Sequence, residues 1–137
     1  MIKNTDNLTI LNVKIDTTDV ANVKDGDIVF FDNINNVWKL CKGTETEIQT
    51  VFGVVIDDND GNENRLVALD GMVEVNVEEA GHPQMSFLFF KNTQNSMTFS
   101  RGTTTKYIAG YLVKNLSQKY GYARALVRIT NNNSFNV

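Results

Sequence analysis

Acidic residues outnumber basic ones by 16 to 13 in this 137-residue chain, giving a net charge of -3 and an isoelectric point near 5.1. That balance supplies no basic field to gather phosphates and disfavours a nucleic-acid function. With 42% hydrophobic and 21% charged residues the composition is globular and unlike that of a disordered chain, and the length suits one domain, residues 1–137.

Residues 1–7 form a polar segment without the apolar run of a signal peptide, and no window approaches the roughly 18 apolar residues of a membrane span. Synthesis in a cytoplasm, no membrane partner and an N-terminal arm over residues 1–7 are the expectations. The single cysteine, Cys41, has no intramolecular partner for a disulfide. The Asn-x-Ser/Thr triplets at Asn7, Asn115 and Asn132 read as chance in an Asn-rich chain.

Beyond the arm, segments rich in Val, Ile and aromatics follow one another: residues 8–15, 27–31, 37–42, 48–56, 65–69, 72–77, 85–91, 97–100, 107–115 and 121–129. Their spacing of roughly 8–12 residues is that of a β-sandwich or barrel. Asp25-Gly26, Asp60-Gly61 and Asp70-Gly71 are hairpin signals, because both residue types tolerate positive φ. In the first segment Leu8 and Ile10 share one parity while Leu11, Val13 and Ile15 share the other, which predicts a β-bulge between Ile10 and Leu11.

Val73, Val75 and Val77 alternate with Glu74 and Asn76, which predicts a core face and a wet face. Ala123, Ala125, Val127 and Ile129 alternate with Arg124 and Arg128, with Leu126 joining the arginines on a partly covered face. Residues 52–56, 87–90 and 107–113 are apolar on both faces, as in central strands or strands buried by a neighbouring subunit. Residues 17–22 and 44–47 each have the chemistry for one helical turn and no more.

Pro83 sits in a polar connection over residues 78–84, read as a loop. Residues 130–137 form a tail that is either frayed or docked on a neighbour. Residues 52–56 with 65–69 echo 109–113 with 124–128, as one hairpin type used twice. The fold expected is all-β, a single antiparallel β-barrel or β-sandwich domain with little helix.

No catalytic, cofactor-binding or metal-ligating residue is assigned. The acidic run Asp57-Asp58-Asn59-Asp60-Gly61-Asn62-Glu63 invites calcium, but placing Gly61 at the turn position of an EF-hand puts Ile56 at the first ligand position. It reads as a solvated hairpin tip. His82 in its loop and Cys41 in a strand are too few and too far apart for zinc. Cys41 reads as a small buried hydrophobe. Glu74 and Glu78 are the one carboxylate pair considered for glycoside chemistry, and Glu78 is expected to have left the strand. Trp38, Tyr107, Tyr111, Tyr120 and Tyr122 would make a sugar-stacking platform if displayed, whereas alternation of Trp38 with Leu40 favours its burial.

The order of features is Val23-Lys24-Asp25-Gly26-Asp27-Ile28-Val29, Val37-Trp38-Lys39-Leu40, Phe52-Gly53-Val54-Val55, Val67-Ala68-Leu69-Asp70-Gly71-Met72-Val73-Glu74-Val75 and Ala123-Arg124-Ala125-Leu126-Val127-Arg128-Ile129. From Asp25 to Ile129 this resembles the small capsid decoration and head-fibre base proteins of tailed bacteriophages. The resemblance implies a β-rich, non-enzymatic virion protein on the outer capsid surface. Its implied partners are the major capsid protein and sister subunits in a trimer, with no cofactor. A carbohydrate- or cell-surface-binding module is the alternative, and a small β-barrel enzyme a third reading.

Overall fold

Among the described residues period-two patterning becomes nine strands, and one of them organises the rest. The computed structural model describes residues 8–41, 51–90, 96–99 and 108–129. Its strands are β1 (Thr9–Lys14), β2 (Ile28–Asp32), β3 (Val37–Leu40), β4 (Phe52–Val55), β5 (Asn64–Val77), β6 (Phe87–Phe90), β7 (Met97–Thr98), β8 (Ile108–Lys119) and β9 (Tyr122–Ile129). A 3-10 turn at Val20–Asn22 fills the first of the two expected helical turns. The second, together with the N-terminal arm, the C-terminal tail, Tyr107, Asn7 and Asn132, lies outside the described residues.

Strand pairing closes on itself, giving the expected all-β fold as a closed β-barrel with further strands. In the N-terminal half the order is β3-β2-β4-β5-β1, and an isolated parallel bridge between Ile15 and Trp38 joins the two ends. Val13, Ile15, Val23, Val29, Trp38, Val55 and Val67 fill the inside of this ring. In the C-terminal half β5 continues into β9, β8, β6 and β7, and Val77 pairs in parallel with Met97 of β7 to close a second ring.

The larger core occupies that second ring and takes in the outward face of the first. Val73, Val75, Val77, Leu88, Phe90, Met97, Leu112, Ala125, Val127 and Ile129 pack with Ile28, Phe52, Val54 and Ala68. Phe52 and Phe90 meet edge to face across the junction, with ring centroids 4.8 Å apart. Val54 and Val55 therefore face different cores, which is why this strand is apolar on both sides. Burial of each such side chain contributes roughly 1.5–3 kcal/mol.

Two turn expectations need correction. Asp70-Gly71 is no hairpin but the middle of the 14-residue β5. Asp70 lies opposite Thr9 and Gly71 opposite Ile129, so both residues have strand partners and the chain has no reason to reverse. Gly71 instead bends the strand from one ring to the other with φ 110. Ala68 and Val73, of opposite parity, consequently face the same core. Asp25-Gly26 does turn, but it leads into β2 from an irregular segment and joins no adjacent strand pair. Only Asp60-Gly61 lies in a hairpin loop, between β4 and β5.

The tightest hairpin among the described residues carries no Asp-Gly signal: β8 runs four residues past its expected end to Lys119, and Tyr120-Gly121, with φ 54 and 78, returns the chain into β9. Positive φ at both central residues is the type I′ geometry that suits strand twist. The bulge expected after Ile10 lies one residue earlier, between Thr9 and Ile10.

Because Gly71 is buried at a φ that L side chains rarely adopt, Gly71→Ala is expected to lose about 1–3 kcal/mol. Urea unfolding would show this as a lower midpoint with an unchanged slope.

Candidate interaction surface

The outward face of the second ring divides into a closed polar end and an open apolar end. At the closed end Asn76, expected on a wet face, is fully buried, as is Arg124 beside it on β9. The reason lies in the preceding turn, Lys24 to Asp27, which folds over them. Arg124 Nη1 donates to Asp25 O and Asn76 Oδ1, each at 2.8 Å, and Nη2 lies 3.2 Å from Asp25 Oδ2. Asn76 Nδ2 donates to Asp27 Oδ1 at 2.7 Å, while Asp27 Oδ2 accepts the Lys24 amide at 2.8 Å. A Cβ on Gly26 would stand 2.2 Å from Arg124 Nη1, so glycine lets the turn approach.

The Asp25 carboxyl also meets Lys119 Nζ at 3.1 Å. Burial pushes its pKa up, but the Tyr120 hydroxyl, the Lys119 ammonium and the Arg124 guanidinium outweigh this and hold it below the usual carboxylate range.

A second buried arginine grips the same turn from the other ring. Arg65, fully inaccessible at the start of β5, donates from Nη1 to Val23 O at 2.9 Å, from Nε to Asp57 Oδ1 at 2.6 Å and from Nη2 to Asp57 O at 2.7 Å. Asp57 Oδ2 additionally accepts the Leu66 amide. Much of the acidic run is thus engaged with protein cations: Asp57 with Arg65, and Asp60 with Lys24 at 3.4 Å. Among the described residues no three His, Cys, Asp or Glu side chains converge on a metal-sized site.

Toward the open end, cross-strand register places Met72, Arg128, Tyr111 and Phe87 in one row over β5, β9, β8 and β6. The next row is Glu74, Leu126 and Lys114. Phe87 is 53% exposed and Met85, just before β6, is 64% exposed. Met85 holds φ 69, unusual for a long side chain, and is fixed there by its amide donating to Leu112 O at 2.8 Å. Phe87 to Phe90 is hence not buried on both sides: Leu88 and Phe90 point into the core while Phe87 faces outward.

A separate apolar tip sits at the β2–β3 hairpin. Ile34 is 88% exposed there. Asp32 braces the tip by accepting the Ile34 amide at 2.9 Å and Asn35 Nδ2 at 2.8 Å, and by pairing with Lys39 at 3.0 Å. Hydrogen bonds from Asn35, then Lys39, then the Ile34 amide hold its carboxyl far below the usual range.

The remaining candidates fall into place around these surfaces. Trp38 is a core residue of the first ring, tilted against Phe31 at 5.7 Å, and so is withdrawn from any sugar platform. Tyr120 is exposed, Tyr111 and Tyr122 half-buried. Cys41 is buried in the larger core, as expected. His82 stacks on Phe99 with ring centroids 3.8 Å apart, and its Nε2 lies 3.2 Å from Glu79 Oε1. Asn115 ties down that loop, accepting the Gly81 amide and donating to His82 O. No sequence signal marks Arg124, Asn76 and Asp25 as a unit, because their contacts span up to 99 residues. No protein-family model matches the chain, and no curated protein matches it in sequence.

Removing the Arg124 side chain leaves Asp25 and Asn76 polar groups buried without their donor, so Arg124→Ala is expected to destabilise by about 3–5 kcal/mol. A double-mutant cycle with Asn76→Ala would show strong coupling between the two positions. A carboxyl whose folded pKa is depressed contributes stability that is present above its unfolded pKa of about 3.9 and is lost as pH falls through the folded value. Acid titration of stability is expected to be shallower in Asp25→Asn than in the parent; identical acid limbs would contradict the assignment.

Proposed function

We propose that the protein is a non-enzymatic virion structural protein that decorates or stabilises the outer surface of a tailed-phage capsid. It would be made in the host cytoplasm and bound as a trimer to the major capsid protein. The observation that carries this reading is the row Phe87, Tyr111, Arg128 and Met72, with exposed Met85 just before β6, on a β-sheet face whose other end is closed by buried Arg124 and Asn76. Exposed aromatic and methionine side chains flanked by an arginine have the composition of an interface centre. A rigid face loses little conformational entropy when it docks. The order of strand motifs from Asp25 to Ile129 supports the same reading.

The alternative, a carbohydrate- or cell-surface-binding module, now rests on the tyrosines without Trp38. A glycan array with no bound sugar would remove it.

Native mass spectrometry of the isolated protein and composition analysis of purified particles test the proposal. A trimer, or a protein present on particles, supports it; a monomer absent from particles overturns it. Phe87→Asp is expected to weaken association by about 2 kcal/mol or more while leaving the subunit's own melting unchanged, since Phe87 is already half in solvent.

A further inference from the structure

We infer that Asp60-Gly61 is a site of spontaneous backbone modification, converting to isoaspartate in the folded protein while Asp25-Gly26 and Asp70-Gly71 are protected. All three dipeptides have the same local chemistry. In each, the glycine amide nitrogen can attack the aspartic carboxyl carbon; the N–Cγ bond forms, the Cγ–OH bond breaks, and water departs with the amide proton. The resulting succinimide ring is hydrolysed by water. Addition at Cγ restores aspartate, and addition at the main-chain carbonyl gives isoaspartate, with the chain rerouted through Cβ and Cγ. No reagent other than water is needed, and overall composition is unchanged.

What separates the three sites is the fold. Closing the ring requires a free glycine amide and freedom to rotate the Asp-Gly linkage. The Gly26 amide donates to Val55 O at 2.7 Å, Gly26 is buried, and the Asp25 carboxylate is held by Arg124 and Lys119. Asp70 and Gly71 lie within β5, opposite Thr9 and Ile129, and Gly71 is buried. At the β4–β5 hairpin, by contrast, Asp60 and Gly61 are both exposed. The Gly61 amide has no hydrogen-bond partner among the described residues, and a Cβ placed on Gly61 would touch nothing within 4 Å. Among the described residues the Asp60 carboxylate is restrained by a 3.4 Å contact to half-buried Lys24 and a 3.7 Å approach to Arg65. Such a tip opens at far lower free energy than a paired strand.

The consequence is local. Isoaspartate moves the carboxylate onto Cα and lengthens the main chain, so the contacts to Lys24 and Arg65 are lost while Asp57 keeps its hold on Arg65.

Peptide mapping with electron-transfer fragmentation, together with labelling by a protein isoaspartyl methyltransferase, tests this on the whole chain after prolonged warm incubation, folded and in denaturant. In the folded protein, isoaspartate at Asp60 is expected to exceed that at Asp25 or Asp70 by at least about tenfold, equivalent to an extra 1.4 kcal/mol for opening either competing site. In denaturant the three sites should react to similar extents. Asp60→Glu, which keeps the charge but disfavours the five-membered ring, should abolish the folded-state signal, and Asp60→Asn should accelerate it with release of ammonia. Equal modification at the three sites in the folded protein, or a folded Asp60 that stays intact while the denatured chain reacts there, would overturn the inference.

Discussion

Two arginines buried on opposite sides of one turn set the geometry of this molecule. Arg65 reaches Val23 O from the first ring, and Arg124 reaches Asp25 O from the second. The turn between them supplies Asp27, whose carboxylate ties its own backbone at Lys24 to the Asn76 side chain. A guanidinium removed from water is costly unless carboxylates and carbonyls meet its donors. Those of Arg65 are met on all three nitrogens, and those of Arg124 on Nη1 and Nη2, while its Nε has no partner among the described residues. The requirement works in both directions: the arginines need this turn, and the turn, irregular backbone at a ring junction, needs them to satisfy its carbonyls.

That constraint separates the roles of the surfaces. The face above Asn76 and Arg124 is covered by the turn, whose Asp25 and Asp27 bond these two side chains. The Asp57 carboxylate is likewise engaged by Arg65. Among the described residues the most open of the large apolar groups is Ile34, on a braced hairpin tip, followed by Met85 and Phe87. The side chains of the polar cluster instead tie the turn to the two rings.

Much of the fold was legible because period-two patterning directly records which face of a strand meets the core. Val73, Val75 and Val77 face inward as read, Trp38 is buried, and of the three segments apolar on both faces β4 stands between two cores, with Val54 in one and Val55 in the other, while Phe87 of β6 faces outward. The repeated motif of residues 52–56 with 65–69 and 109–113 with 124–128 likewise corresponds to two antiparallel strand pairs. It also carries the two buried arginines, which a reading by hydrophobicity alone treats as surface residues.

The two corrected turns, Asp25-Gly26 and Asp70-Gly71, share one cause. Asp-Gly signals permission for positive φ, and whether the chain uses it to reverse, to bend a strand or to admit an arginine depends on what lies opposite. The sequence by itself determined the strand alternation, the all-β class and the absence of a recognised catalytic motif, since these follow from local spacing and composition. That Asp70-Gly71 continues a strand, that Asn76 and Arg124 are dry, and that Phe87 faces water follow from long-range packing alone. Each depends on partners tens of residues away, brought into register by ring closure through β5, and no local pattern encodes that distance.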